Sequence, residues 1–291
     1  MTAAGSTPKD HKPEHGSVQL ELCRPRITTS SERILIRLRI WLGCNACKNF
    51  GSAGVCRFGP RSLIKFTCST RAAEAANLLY IARHTTVPVP RVHDVFTIGQ
   101  QTFIVMEYVH GTELTYAWEH LSAEQKMGLF PQLKDYIDQV RSLQPPRPGR
   151  VEAADGTSLF DVRLCMGNQP FGPFATVTDF HTHLGHDCIR AGERHRDVWT
   201  QFEAVAKRQY RTVFTHSDIA PRNILVKGGR ITAIVDWEAA GWYPEYWEYC
   251  RWAVSNYRSS QLWHEMRDTV LDVYPAELHV EDYLDSVYTR L

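Results

Sequence analysis

"VFTHSDIAPRNILVKGGRITAIVDWEAAGWYPEYWEY" (residues 213–249) is the stretch on which the fold turns. Two apolar runs, "NILV" and "RITAIVDW", flank Lys227-Gly228-Gly229, a strong tight-turn signal, and so read as a hairpin. Folding one run back on the other brings Asn223 and Asp236 to the same open end. Asp218 lies in the loop that feeds the first strand, two residues after His216. Carboxylates and amides at the ends of buried strands cost free energy unless they are paired or used. Carboxylate and amide oxygens without thiolates suit a hard ion such as magnesium, which keeps water and phosphate ligands. Asp218, on a loop beside that ion, is placed to orient or deprotonate a hydroxyl. A plain hairpin with turn-capping Asp and Asn accounts for any one of these residues, but poorly for four at this spacing.

Upstream, the order is strand, strand, helix, strand, strand. "GVCRF", Gly59-Pro60 and "RSLIKF" form a hairpin, and "TRAAEAANLLYIARH" (70–84) a helix. "RVHDVFTIGQQTFIVMEYVHG" gives two strands around a Gly-Gln turn and ends at Gly111. Alternation along "SLIKF" sets Lys65 on the face opposite Ile64, toward a cleft. Glu74 falls on the apolar stripe of the helix with Leu78 and Ile81, where a carboxylate wants a cation. A snorkelling lysine and a first-turn glutamate explain the pair as well when it is taken alone. Beside the hairpin, a phosphate-gripping Lys65 held by Glu74 explains it better. "RILIRLRIWL" (33–42) fits both the helical and the strand period, and its basic amphipathic character suits packing on the domain or contact with a membrane.

Downstream, Ser122 three residues before Gln125 is a capping box, and Pro131 is expected to kink the following helix or mark its start. Residues 151–185 read as irregular, "RHRDVWTQFEAVAKRQY" as a helix, and the chain after Glu245 as mostly helical. The expected class is α+β: a small antiparallel sheet with one helix, then a larger, mainly helical lobe. The expected division is a tail over 1–17, a nucleotide-binding lobe over 18–109 with 18–50 unassigned, and a catalytic and substrate lobe over 110–291.

The bulk numbers narrow the class. With 291 residues, 43% hydrophobic and 22% charged, the composition is that of a globular protein. A formal charge of +1 argues against a nucleic-acid binder. No apolar run approaches the roughly 18 residues a membrane span needs, and the first residues lack the apolar core of a secretory signal. The chain is therefore expected to be cytoplasmic, without stable membrane insertion. Eight scattered cysteines read as reduced thiols. "CNAC" (Cys44, Cys47) has no second pair to complete a zinc site, and His181, His183 and His186 read as helix or loop histidines rather than ligands.

Taken together, these motifs resemble the protein-kinase-like fold, specifically the aminoglycoside phosphotransferase and choline-kinase-type family, and within it a fungal branch. "HSDIAPRN" is similar to the family's catalytic loop, "IVDWEAAG" to its metal-binding segment, and "VMEYVHG" to the hinge between lobes. The likeness runs from about residue 54 to 250. It implies ATP and Mg2+ as cofactors, Asp218 as catalytic base, and Asn223 and Asp236 as magnesium ligands. It further implies Lys65 on the α/β-phosphates with Glu74 holding it, and adenine received by backbone groups of Glu107, Tyr108 and Val109. The implied activity is transfer of the γ-phosphate to a hydroxyl of a small-molecule acceptor. A pseudokinase scaffold and a protein kinase are the alternatives.

Two departures stand out: Ser217 replaces the usual Gly, and "FGSAG" (50–54) is the only candidate for a phosphate-covering loop. "HSDIAPRN" also resembles the tyrosine-kinase loop, but "DWEAAGWYPEYWEY" passes at once into an aromatic helix and leaves little room for a peptide acceptor. From Asp236 onward, eleven acidic residues face four arginines and no lysine, with five of the eight tryptophans. That balance suits a cationic amine or amino alcohol, with Glu281, Asp282 and Asp285 as candidate contacts. An acidic solvated face over a tryptophan-rich core reads the same residues somewhat better.

Overall fold

Capping and alternation settle the first part of the chain. A computed structural model describes residues 25–46, 54–66, 71–161, 164, 169–185, 196–255 and 261–288. It begins with β1 (Arg26–Ile27), α1 (Ser30–Ala46), β2 (Val55–Gly59), β3 (Ser62–Lys65), α2 (Ala72–His84), β4 (Val92–Ile98) and β5 (Gln101–Glu107). The strands form one sheet in the order β1-β4-β5-β3-β2, antiparallel except for the β1–β4 pair. Residues 33–42, which fit both periods, are helical. A reciprocal cap starts that helix: the Thr29 N–H donates to Glu32 Oε2 (2.8 Å), and the Glu32 N–H to Thr29 Oγ1 (3.3 Å). This part therefore carries two helices where one was expected.

The helices take opposite faces of the sheet. Cys56, Ile64, Phe96, Phe103 and Val105 form a small core with Ile36 of α1, and Ile40 packs against it. Val95, Ile104 and Met106 on the other face join α2 and the main core. Gly43 lets α1 settle onto β2, because a Cβ there would collide with the Arg57 carbonyl. Lys65, next to Ile64 in β3, is buried on the α2 side, as alternation requires.

The rest comprises β6 (Thr112–Glu113), α3 (Leu114–Ala117), α4 (Ala123–Ser142), α5 (Val177–Gly185), α6 (Arg196–Ala206), β7 (Thr212–Thr215), β8 (Ile224–Lys227), β9 (Arg230–Ile234), β10 (Gly241–Pro244), α7 (Trp247–Ser255), α8 (Gln261–Val270) and α9 (Pro275–Tyr288). The Ser122–Gln125 capping box starts α4. Pro131 does not mark its start: the helix runs through it, and Gln132 Nε2 donates to the Gly128 carbonyl in that turn (2.8 Å). Two expectations need correction. The end of the segment expected to be irregular is α5, opened by a Thr176–Asp179 reciprocal cap. The passage from Asp236 to the aromatic helix α7 is not direct either, because β10 intervenes and pairs with β7.

Trp237, Trp242, Trp247, Trp252 and Trp263 are all buried, so the aromatic richness of the tail is core. Cys56 and Cys250 are buried, and the Cys56 thiol donates to the Ile40 carbonyl (3.8 Å). Residues 50–53, Cys47, the side chain of Cys44, and His186 lie outside the described residues.

Candidate active site

The hairpin forms because two glycines accept a backbone that other residues resist. Gly228 and Gly229 sit at φ 59° and 74° and let β8 and β9 close tightly. Ile224 pairs with Ile234, and the Val235 N–H donates to the Asn223 carbonyl (2.9 Å). Asn223 and Asp236 thus share the open end of the hairpin. Asp236 also adopts a left-handed backbone (φ 67°), a conformation Asp tolerates better than most residues, and opens a 3₁₀ turn over Trp237–Ala239.

There the two parts of the fold meet. Lys65 Nζ lies 2.7 Å from Asp236 Oδ1, 3.0 Å from Glu74 Oε1 and 3.0 Å from Glu238 Oε2. Burial opposes a charged Lys65, but its three carboxylate partners outweigh that and hold its pKa well above the usual value. Burial pushes Glu74 up, to about 7, against the pull of Lys65. Burial would also raise Asp236, yet the lysine dominates and holds it below the usual carboxylate range.

Sequence reasoning found Lys65, Glu74 and Asp236 and missed Glu238, two residues beyond Asp236. It also missed Asn77, which is fully buried on α2. Asn77 Nδ2 donates to the carbonyls of Trp237 and Ala240 (2.9 Å each), and its Oδ1 accepts from the Ala154 N–H (3.1 Å). The helix that carries Glu74 is thereby tied to the backbone just after Asp236.

The loop before β8 is held from beneath. Ser217 takes φ 70°, which explains why a glycine suits this position. Its side chain does not crowd the loop, because the Trp247 indole N–H donates to Ser217 Oγ (2.8 Å). Glu248, buried in α7, accepts from the N–H groups of His216 (2.6 Å) and Ser217 (3.0 Å). Burial raises its pKa to about 7 against those two donors. His216 Nε2 donates to the Val235 carbonyl (3.0 Å) and Nδ1 accepts from the Asp218 N–H (3.2 Å), so the ring is neutral, and burial lowers its pKa.

Asp218 is partly exposed above this support. Arg222 Nη2 donates to both of its carboxylate oxygens (2.6 Å each), and Asn223 Nδ2 donates to Oδ2 (2.8 Å) and to the Asp218 carbonyl (2.9 Å). With its amide nitrogen engaged, Asn223 has Oδ1 available as a cation ligand beside Asp236. Among the described residues, no three His, Cys, Asp or Glu side chains form a metal cage. The two-ligand, all-oxygen set still fits magnesium, which completes its shell with phosphate and water.

At the end of β5, the N–H groups of Glu107 and Tyr108 are taken by the carbonyls of Arg91 (2.8 Å) and Arg61 (2.9 Å). The Val109 N–H has no partner among the described residues, which makes it the donor a flat heterocycle could use.

Two of the three candidate acids of the tail have other neighbours. Arg251 lies 3.0 Å from buried Asp161 and 3.8 Å from Asp285. Glu281 is buried near Tyr246, and Asp282 is exposed on α9. No contact among the described residues brings these three acids to Asp218.

A lysine from a small sheet, held by a helix carboxylate and meeting an aspartate at a hairpin end under a helical lobe, defines the protein-kinase-like fold. The chain belongs to the phosphotransferase enzyme family (APH), whose sequence pattern matches residues 67–281. Among solved structures it is similar to a thermostable mutant of aminoglycoside phosphotransferase APH(4)-Ia in a ternary complex with ADP and hygromycin B. That likeness has a TM-score of 0.58 at 17% identity, over 90% of this chain and 92% of the other. Aminoglycoside-3'-phosphotransferase of type VIII gives a TM-score of 0.52 at 16% identity, over 81% and 90%. Spectinomycin phosphotransferase APH(9)-Ia, with ADP and spectinomycin, gives 0.51 at 13%, over 82% and 79%. No curated protein matches the sequence.

Proposed function

We propose that this phosphotransferase is an ATP- and Mg2+-dependent kinase acting on a hydroxyl of a small molecule. The observation that carries the reading is the 2.7 Å contact between Lys65 and Asp236, which joins a phosphate-binding cation to a metal-type carboxylate across the cleft. Lys65, positioned by Glu74, binds the α/β-phosphates, while Glu107, Tyr108 and Val109 offer backbone groups to adenine. Asn223 and Asp236 would hold magnesium, which neutralises phosphate charge when bound. Asp218 accepts the acceptor's O–H, aligns its oxygen with the γ-phosphorus, and takes the proton as the new P–O bond forms and the bond to ADP breaks. Arg222 and Asn223 keep that carboxylate in place.

The likeness to complexes containing ADP with hygromycin B or spectinomycin supports a nucleotide donor and a small acceptor. So does the shortness of the connection from Asp236 to α7, taken up by a turn and β10. The acceptor class put first is a cationic amine or amino alcohol.

The test is ADP release from Mg-ATP across amines, amino alcohols, aminoglycosides and sugars. Turnover with at least one acceptor is expected, and Asp218→Ala is expected to abolish it while nucleotide still raises the melting temperature. Unchanged turnover in that variant refutes the role given to Asp218. Nucleotide binding without magnesium and without consumption of ATP refutes catalysis.

A further inference from the structure

We propose that the outward face of α1 is a peripheral docking surface for an anionic lipid bilayer. α1 is two-sided. Ile36, Ile40 and Gly43 turn toward the sheet, while Ile34, Leu35, Leu38, Trp41 and Leu42 recur at helical spacing on the far side. All five are at least half exposed, Ile34 at 70% and Trp41 at 61%. Single exposed apolar side chains are ordinary, but a contiguous stripe of five marks an interaction site.

Charge selects the partner. At helical spacing Arg33 and Arg37 follow one edge of the stripe and Arg39 the other, and all three are exposed. None forms an ion pair with an acid among the described residues. Arg33 donates to Thr28 (Oγ1, 3.2 Å; carbonyl, 3.1 Å), and Arg39 lies over the Phe58 ring (4.1 Å) and donates to its carbonyl (2.9 Å). The one acid of α1, Glu32, is held by Arg26 (3.0 Å) and caps Thr29. A second copy of this face would therefore bring arginine against arginine with no carboxylate to answer. Anionic headgroups meet the arginines while the stripe enters the acyl boundary.

The placement leaves the cleft open, since α1 covers the sheet face opposite Lys65. No helix among the described residues is long and apolar enough to cross a membrane, so the surface lies on the bilayer rather than through it.

The full-length protein should sediment with phosphatidylcholine vesicles that contain phosphatidylserine and bind pure phosphatidylcholine at least tenfold more weakly, with capture falling as salt rises. The Leu35→Ser/Leu38→Ser double variant should lose capture at least tenfold with an unchanged melting temperature, because both residues are exposed. Arg37→Gln should weaken it about fivefold. Any of four results overturns the proposal: no capture, equal capture by neutral and anionic vesicles, capture unaffected by the double variant, or self-association that the double variant abolishes.

Discussion

Substituting Ser217 separates backbone strain from the side-chain contact that accompanies it. The residue sits at φ 70°, where an L-residue costs about 1–2 kcal/mol relative to its right-handed alternatives. Its hydroxyl accepts from the fully buried Trp247 indole, a bond with a net contribution of about 1 kcal/mol. Ser217→Ala removes the bond and keeps the strain, so it should destabilise the fold by about 1–3 kcal/mol, the upper end reflecting desolvation of an indole N–H that has lost its acceptor. Ser217→Gly also removes the bond but relieves the strain, less about 0.4–1 kcal/mol for the greater freedom of glycine in the unfolded chain. Glycine should therefore exceed alanine by about 1 kcal/mol, the reverse of their usual order, and lie about 0–2 kcal/mol below serine. Urea denaturation of the three proteins resolves this difference as a shift in midpoint at constant slope. Equal or greater stability of the alanine variant refutes the left-handed assignment, and with it the explanation of why this loop favours glycine.

Two further outcomes follow from buried polar groups. Asn77 uses two donors and one acceptor on backbone groups, so Asn77→Ala should cost about 2–4 kcal/mol, and Asn77→Asp, which sets a carboxylate against two carbonyls, at least as much; a tolerated aspartate in denaturation curves sinks this. Burial lowers His181 from 6.5 to about 4. The native state then holds it neutral while the unfolded chain binds a proton, and stability present above pH 6.5 is lost progressively down to about pH 4, by about 3 kcal/mol. His181→Gln should flatten that part of the stability profile, and an unchanged slope between those pH values counts against the assignment.

What could be read from the sequence depended on whether a residue's partner is local. The hairpin was legible because Gly228-Gly229 and the flanking apolar runs determine it within a dozen residues. Lys65 and Glu74 were legible because strand alternation and the helical stripe each point one polar group inward, and two lone inward groups imply a pair. Two helix starts were equally local and went unread: Thr29-x-x-Glu32 decides between the two periods of α1, and Thr176-x-x-Asp179 announces α5. Periodicity weighs apolar residues only and is blind to a cap.

The residues that escaped are those whose partners lie far along the chain. Asn77 binds carbonyls some 160 residues away, and Glu248 supports a loop 31 residues earlier. Asn77 lies three residues after Glu74 along the same apolar face, and a buried amide needs partners as a buried carboxylate does. Those partners are the backbone following Asp236, which only the folded chain assembles. The tail shows the converse. Five tryptophans and a surplus of acids suggested a cation site, but the tryptophans are buried, and Asp285 lies beside Arg251, Glu281 near Tyr246 and Asp282 in solvent. Composition measures what a segment contains, whereas a binding surface depends on which of those groups the packing leaves facing outward. For α1 the packing leaves the apolar ones.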